Sequence, residues 1–267
     1  MKQRMVSLAL CGLVLLTGCQ RSTVQEEIWE LEQEDVVSFS DGEAVDRWRG
    51  YQNGLRESWV LYELSDGTTI LTEDDAVGPE GDAGYSILSQ EVQSAVSAWY
   101  QGAGRRYDLN TLLQAAYTRY QEQGKDNFQA GRVSQRVAST AFSEQVIYFT
   151  TTVDQAVDPA QGQTLRYTAA FDRTSGQRLE LWSLFTQPEA NVRLALAAAA
   201  GDDPAVQERL AAAIDPERVI FYADHLEVDF PAGAFEGLDI AYTLAVDYEQ
   251  LSGLLSSRAL PSSNGTA

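Results

Sequence analysis

Few side chains in this chain could do chemistry near neutral pH. His225 is the single histidine and Cys11 and Cys19 are the only thiols. The 39 Asp and Glu outnumber the 19 Lys and Arg, giving a formal charge of −20 over 267 residues. A Ser/His/Asp or Cys/His centre would have to be built around His225. It stands between Asp224 and Leu226, where a hairpin turn is expected, and such a position favours an exposed turn residue over a general base or a metal ligand. Catalytic zinc usually takes three protein ligands with His predominating, so no metal and no cofactor are expected. No Gly-x-Ser-x-Gly, His-Glu-x-x-His or phosphate-loop pattern occurs. Carboxylates are the one abundant reagent, and a pair of them can hydrolyse a glycoside. The densest internal cluster, Glu73-Asp74-Asp75, falls in an acidic, glycine-containing stretch read as a solvated loop, and it lacks the ordered alternation of a calcium loop. No catalytic residue is assigned.

Aromatic side chains are the second resource: Trp29, Trp48, Trp59, Trp99 and Trp182, with twelve Tyr. Trp99 falls on the inward face of an expected helix and Trp182 lies among leucines, so both read as core. Trp48, flanked by Arg47 and Arg49 in a less regular segment, is the one aromatic assigned to ligand binding, as a surface contact. The acidic balance argues against nucleic acid, whose binding needs clustered Lys and Arg. Two cysteines exclude a disulfide-rich scaffold, and 44% hydrophobic residues are enough for a buried core.

Lys2 and Arg4 precede an apolar run from Met5 to Leu16, too short to cross a hydrocarbon core that needs about 20 residues. A positive start, a short apolar stretch and small residues mark a secretory signal. The ending Leu16-Thr17-Gly18-Cys19 resembles a bacterial lipoprotein box. That resemblance implies cleavage before Cys19, a diacylglyceryl group on its sulfur, and a palmitate-type acyl chain on the new amine. Two or more acyl chains give stable attachment where one is marginal. Cys11 would leave with the signal peptide and Cys19 would be consumed by lipid, which excludes thiol chemistry.

The organisation expected is a signal peptide over 1–18, a lipidated Cys19 and acidic tether over 19–35, a folded domain over 36–255, and a disordered tail over 256–267. Within the domain, halves divide near residues 130 and 131. Ser58 to Leu64 and Thr68 to Thr72 flank Asp66-Gly67 as a hairpin. Helices are expected from Leu88 to Trp99, after an Asp108 cap as far as Gly124, from Asn191 to Ala200, and from Pro204 to Ile214 behind Asp203. Strands are expected at Gln145 to Val153, Leu165 to Phe171, Gln177 to Leu181, Val219 to Tyr222, Leu226 to Phe230 and Leu238 to Val246. A short helix from Tyr248 to Leu255 closes the domain. Hairpin turns dominate and no βαβ crossover is evident, so the fold class is α+β with a largely antiparallel sheet and packed helices.

Three segments carry a further resemblance: Phe171 to Phe185 (FDRTSGQRLELWSLF), Val219 to Phe235 (VIFYADHLEVDFPAGAF) and Ile240 to Leu255 (IAYTLAVDYEQLSGLL). Their order is similar to the extracellular domain shared by PdaC-type peptidoglycan deacetylases and RsiV-type lysozyme-sensing anti-sigma factors. In that family a strand ends in an Asp-x-x-Thr-Gly turn, where Ser175 here replaces the Thr before Gly176. The resemblance covers about Val36 to Leu255 and is strongest in the C-terminal half. It implies a non-enzymatic extracytoplasmic domain, used beside catalytic domains or as a receptor. The stretch Val153 to Pro159 has neither the His nor the Gly pair common in the family, and neither a deacetylase domain nor a sigma-binding segment is evident. Deacetylation and sigma release therefore do not carry over.

These readings converge on a lipoprotein of the bacterial cell membrane facing outside the cytoplasm, held to the bilayer through acylated Cys19. It is expected to bind or sense without catalysis. Complementary charge suits a cationic protein or a cell-wall partner. The alternatives are a carboxylate-dependent hydrolase of envelope glycans and a structural envelope lipoprotein.

Overall fold

Strands hold more of the described residues than helices do, and the computed structural model describes residues 3–6 and 29–262. Five strands come first: β1 (Gln3–Val6), β2 (Trp29–Ser38), β3 (Ala44–Gln52), β4 (Leu55–Leu64) and β5 (Thr69–Asp74). Helices α1 (Ala83–Ser86), α2 (Gln90–Ala103) and α3 (Leu109–Gln123) follow. Strands β6 (Gly131–Phe142), β7 (Val146–Ala156), β8 (Gln163–Asp172) and β9 (Arg178–Leu179) lead to helices α4 (Glu189–Ala198) and α5 (Pro204–Ala213). The chain closes on β10 (Val219–Phe221), β11 (His225–Phe230) and β12 (Tyr242–Asp247). The class is α+β with mostly antiparallel pairing. The chain divides into two compact units, Met1–Ala76 with Asp108–Ser134 and Gln155–Gln163, and Val77–Tyr107 with Gln135–Asp154 and Thr164–Ala267.

In the first unit β2, β3, β4 and β5 pair antiparallel in chain order, and β1 pairs with the start of β2. The expected Asp66-Gly67 hairpin is present: Leu64 N–H donates to Thr68 O at 2.9 Å, and Gly67 takes φ 84°. One pairing departs from expectation. Leu71 to Asp74 of β5 runs parallel to Gly131 to Ser134 of β6, so a crossover exists where hairpins alone were anticipated. Residues more than fifty positions apart must meet for this, which local turn signals do not encode. Helix α3 starts at Asp108, whose carboxylate accepts from the N–H groups of Asn110 and Thr111 at 3.0 and 3.2 Å. Its Tyr117 stacks on Phe39 with ring centroids 4.3 Å apart, and the Tyr117 hydroxyl donates to Asp41 at 2.9 Å.

The acidic segment read as a tether is, from Trp29 onward, strand β2. Its charges did not keep it out of the sheet because Glu34 pairs with Arg47 and Arg49 of β3. The rest of that segment, with Cys19, lies outside the described residues.

In the second unit the order β6-β7-β8-β9 carries a core on each face. Against one face, Val92, Val96 and Tyr100 of α2 meet Ile147, Phe149, Ala169 and Phe171. Against the other, α4, α5 and the separate sheet β10-β11-β12 contribute Leu196, Leu210, Phe221, Val228 and Val246 around Tyr148 and Ala170. Asp203 caps α5 through the N–H groups of Ala205 and Val206, with Pro204 at the first helical position. The expected helix over Tyr248 to Leu255 is instead a run of turns, interrupted where Gly253 takes φ 78°. The tail expected to be disordered is packed as far as Ser262. Ala259 is fully buried, its carbonyl accepts the Tyr148 hydroxyl at 2.6 Å, and Ser262 N–H donates to Phe142 O at 3.1 Å. Residues 263–267 lie outside the described residues.

Candidate functional site

The sequence-derived candidates resolve differently. Trp48, assigned to a surface contact, is 3% exposed within β3, opposite Leu61 of β4. Its flanking arginines do not mark a surface because both find carboxylates. Arg49 is itself wholly buried, donating to Asp75 Oδ1 at 2.8 Å and to the carbonyls of Glu57 and Ser58 at 3.1 and 3.0 Å. The Glu73-Asp74-Asp75 cluster is likewise no solvated loop. Glu73 and Asp74 end β5, Glu73 accepts the Tyr62 hydroxyl at 2.5 Å, and Asp75 sits under Arg47 and Arg49. Burial alone would raise the Asp75 pKa, but the Arg49 guanidinium outweighs it and holds the carboxyl below its usual range.

His225 begins β11 just after the expected turn. Its Nδ1 lies 2.7 Å from Asp224, its Nε2 lies 3.6 Å from Glu227, and its ring stacks on Tyr222 at 5.0 Å. Arg166 of β8 ties this region together. It meets Asp229 through Nε at 2.8 Å, Glu227 at 2.7 Å and the Tyr222 hydroxyl at 2.8 Å. These contacts tie His225, Glu227, Asp229 and Tyr222 into one polar network around Arg166. Among the described residues no group of three or more His, Cys, Asp or Glu is placed to hold a metal ion.

A different constellation lies in the second unit, around the end of α2. At the end of α2, Gln135 fixes the turn: its Nε2 donates to Gly104 O at 3.0 Å and its Oε1 accepts the Arg106 N–H at 3.0 Å. Arg106 is thereby laid between two rings, 5.5 Å from Trp99 and 5.6 Å from Tyr167. Arg178 of β9 covers Trp99 at 5.1 Å, and Arg218 covers Tyr167 at 4.4 Å. Each ring therefore has two guanidiniums beside it, and Arg106 is common to both, as ring quadrupoles favour. Trp99 therefore does more than fill the core.

Glu217 bridges two of these guanidiniums, those of Arg106 and Arg178. It belongs to a single 3₁₀ turn, Pro216–Arg218, capped by Asp215, whose Oδ1 accepts the Glu217 N–H at 2.9 Å. Its carboxylate takes both arms of Arg106 at 3.1 and 3.2 Å and one arm of Arg178 at 2.9 Å. Beside it a cleft of about 320 Å³ opens between β8, β9 and this turn. Thr168, Arg178, Glu180, Asp215 and Glu217 supply its polar lining, and Leu181 and Phe221 its apolar wall. Such a volume lies at the lower end of the range for small-molecule sites. None of these residues carries a motif. Nothing in the sequence singles them out, and only the fold brings three arginines to two aromatic rings.

No protein-family model matches the chain, and no curated protein matches it. Among solved structures it is similar to a DUF3298 family protein from Pseudomonas aeruginosa PAO1. The identity is 12%, 86% of this chain and 98% of that chain are covered, and the TM-score is 0.39. It is also similar to a DUF3298 family member from Bacteroides fragilis NCTC 9343, at 10% identity over 87% of this chain and 94% of that one, with a TM-score of 0.42. DUF3298 is the PdaC/RsiV-like domain family. Among the described residues no helix is long and apolar enough to cross a membrane.

Proposed function

We propose that this protein is a bacterial lipoprotein, anchored outside the cytoplasm through acylated Cys19, that binds or senses a partner and catalyses no reaction of its own. The observation that carries the binding role is the arginine–aromatic stack beside the 320 Å³ cleft. Its charged groups are already committed to one another, which makes a rigid recognition surface and a poor proton relay. The Glu217 carboxylate is engaged by two guanidiniums and Asp215 caps a turn. This weighs against the carboxylate hydrolase reading, although Glu180, Asp215 and Glu217 do share the cleft. The anchor rests on Lys2, Arg4, the apolar run and Leu16-Thr17-Gly18-Cys19. On this reading β1 is removed with the signal, and β2 keeps its longer pairing with β3.

Labelling cells with a palmitate analogue tests the anchor. Label should enter the wild-type chain and not Cys19→Ala, and label in both would overturn it. Capture from envelope extracts on the immobilised chain tests the binding role. A cationic protein or wall fragment should be retained at low salt and lost as salt rises. Retention of neither would overturn that role.

A further inference from the structure

The expected tether over 19–35 is cut short by β2, which begins at Trp29. From Cys19 to Trp29 is ten residue steps. Even fully extended, such a chain covers at most about 36 Å, so an acylated Cys19 holds the start of β2 near the bilayer.

Strand register shows what else lies at that end of the first unit. Trp29 stands opposite Gln52 of β3, and Gln52 opposite Leu55 of β4. The β3–β4 turn, with Asn53 at φ 51° and Gly54 at φ 78°, therefore sits where β2 begins. Strand β4 then runs ten residues from Leu55 to Leu64. That length puts the Ser65-Asp66-Gly67 turn about 30 Å away.

The two ends differ in chemistry. Tyr51 to Arg56 includes one cation and no acid. Leu55 is 71% exposed, and the Arg56 side chain is 57% exposed. Glu30 lies opposite Tyr51 and Glu57 follows Arg56, so both are set back from the turn. The far end gathers Asp41, Glu43 and Asp66. There Ser65 donates to Glu43 at 2.8 Å, and Lys125 lies 3.3 Å from Asp66. An apolar tip beside an arginine suits the headgroup boundary, because the arginine stem lies along apolar surface while its head stays in the polar layer. An acidic end suits water.

We propose that in the anchored protein the β3–β4 turn rests on the bilayer, with Leu55 at the headgroup boundary and Arg56 among the phosphates, and that the acidic end of the same sheet faces away. The proposal goes beyond the binding reading above and rests on its anchor. A single leucine does not hold a free protein on a membrane, but the acyl chains keep this turn within reach, so a weak contact suffices. The arrangement also sets the side from which a cationic partner meets the acidic end.

The test is spin labelling of the mature lipoprotein in vesicles of phosphatidylethanolamine and phosphatidylglycerol. On the anchor reading Cys11 has left and Cys19 carries lipid, so an introduced cysteine is the one thiol to label. Gln52→Cys reports on the turn, and Ser65→Cys on the far end. Power saturation reads each label's contact with oxygen, which concentrates in lipid, and with a water-soluble nickel chelate. On transfer from detergent to vesicles, the Gln52→Cys label should gain oxygen contact and lose nickel contact, while the Ser65→Cys label stays aqueous. Adding Leu55→Asp to the Gln52→Cys chain should lower the ratio of docked to undocked turn about tenfold or more and return the label to water. Equally aqueous labels at the two positions would overturn the proposal, and so would a Gln52→Cys label unmoved by Leu55→Asp. Should the doubly substituted chain fail to fold, the comparison of the two labels decides alone. Vesicle flotation separates the two readings. A chain that floats while both labels stay aqueous sinks the docked turn and leaves the anchor standing. A chain that does not float sinks the anchor and the docked turn together.

Discussion

Arg106 and Glu217 lie 111 positions apart in the chain and meet as two parallel hydrogen bonds, Nη1 to Oε2 at 3.1 Å and Nη2 to Oε1 at 3.2 Å. A planar fork facing a carboxylate fixes orientation as well as distance. Here it holds the 3₁₀ turn Pro216–Arg218 against the end of α2, and the aromatic stack inherits that rigidity.

Glu217→Gln keeps the shape of this side chain and turns one acceptor into a donor facing two guanidiniums. The expected loss is about 1–2 kcal/mol, the partial exposure of Glu217 keeping it below the value for a buried pair. Arg106→Lys should lose a similar amount, because an ammonium can neither fork nor stack. Urea titration checks both: the midpoint should fall with the slope unchanged.

A larger effect is expected at Arg49. Replacing it with Met leaves Asp75 and Glu34 facing fewer cations, and the carbonyls of Glu57 and Ser58 lose their donor. Removing one member of a buried pair typically costs about 3–5 kcal/mol. Asp75 also sets a pH dependence. Its folded pKa lies below the reference 3.8, so its contribution is present above that value and lost as pH falls through the folded one. Acid titration of Arg49→Met should lack this contribution on the acid limb.

Gly176 links sequence and packing in one residue. The turn Asp172 to Gly176 asks for positive φ, and Gly176 takes φ 70°. A Cβ there would also come within 2.7 Å of Ala95 Cβ and 3.1 Å of Val92 O on α2. Gly176→Ala should therefore cost more than conformational strain alone, about 2–3 kcal/mol. Thermal melting should show a clear drop, and a drop no larger than that of an alanine at an open positive-φ glycine such as Gly233 would contradict the packing term.

The features legible in the sequence were local ones. The Asp108 and Asp203 caps, the Asp66-Gly67 hairpin and the Gly176 turn each depend on residues a few positions apart, and their chemistry is written at that range. Strand β3 was not legible because its charged residues are satisfied from elsewhere. Arg47 and Arg49 pair with Glu34 of β2 and with Asp75 beyond β5, so polar residues sit where a strand template asks for apolar ones. Trp48 was misplaced for the same reason. The arginine–aromatic cluster was invisible because Trp99 with Arg106, Tyr167, Arg178 and Glu217 come from four separate stretches of the chain. Each of them, read singly, is an ordinary surface or core residue.

The single histidine yields a prediction with a definite sign. Partial burial disfavours the charged ring, but Asp224 at 2.7 Å and Glu227 at 3.6 Å outweigh it and raise the His225 pKa above the reference 6.5. Tyr222 stacks on the ring, Asp247 stands opposite in β12, and Arg166 draws on Glu227 from β8. A raised folded pKa means that the charged ring adds stability in full below the unfolded value. That increment disappears as pH rises through the folded value. The ring is only partly shielded, so the size is below about 1 kcal/mol. Stability measured by urea between pH 5 and pH 8 should fall on the alkaline side in the wild-type chain, and His225→Gln should flatten that fall. An unchanged slope in His225→Gln would assign the pH dependence to other groups.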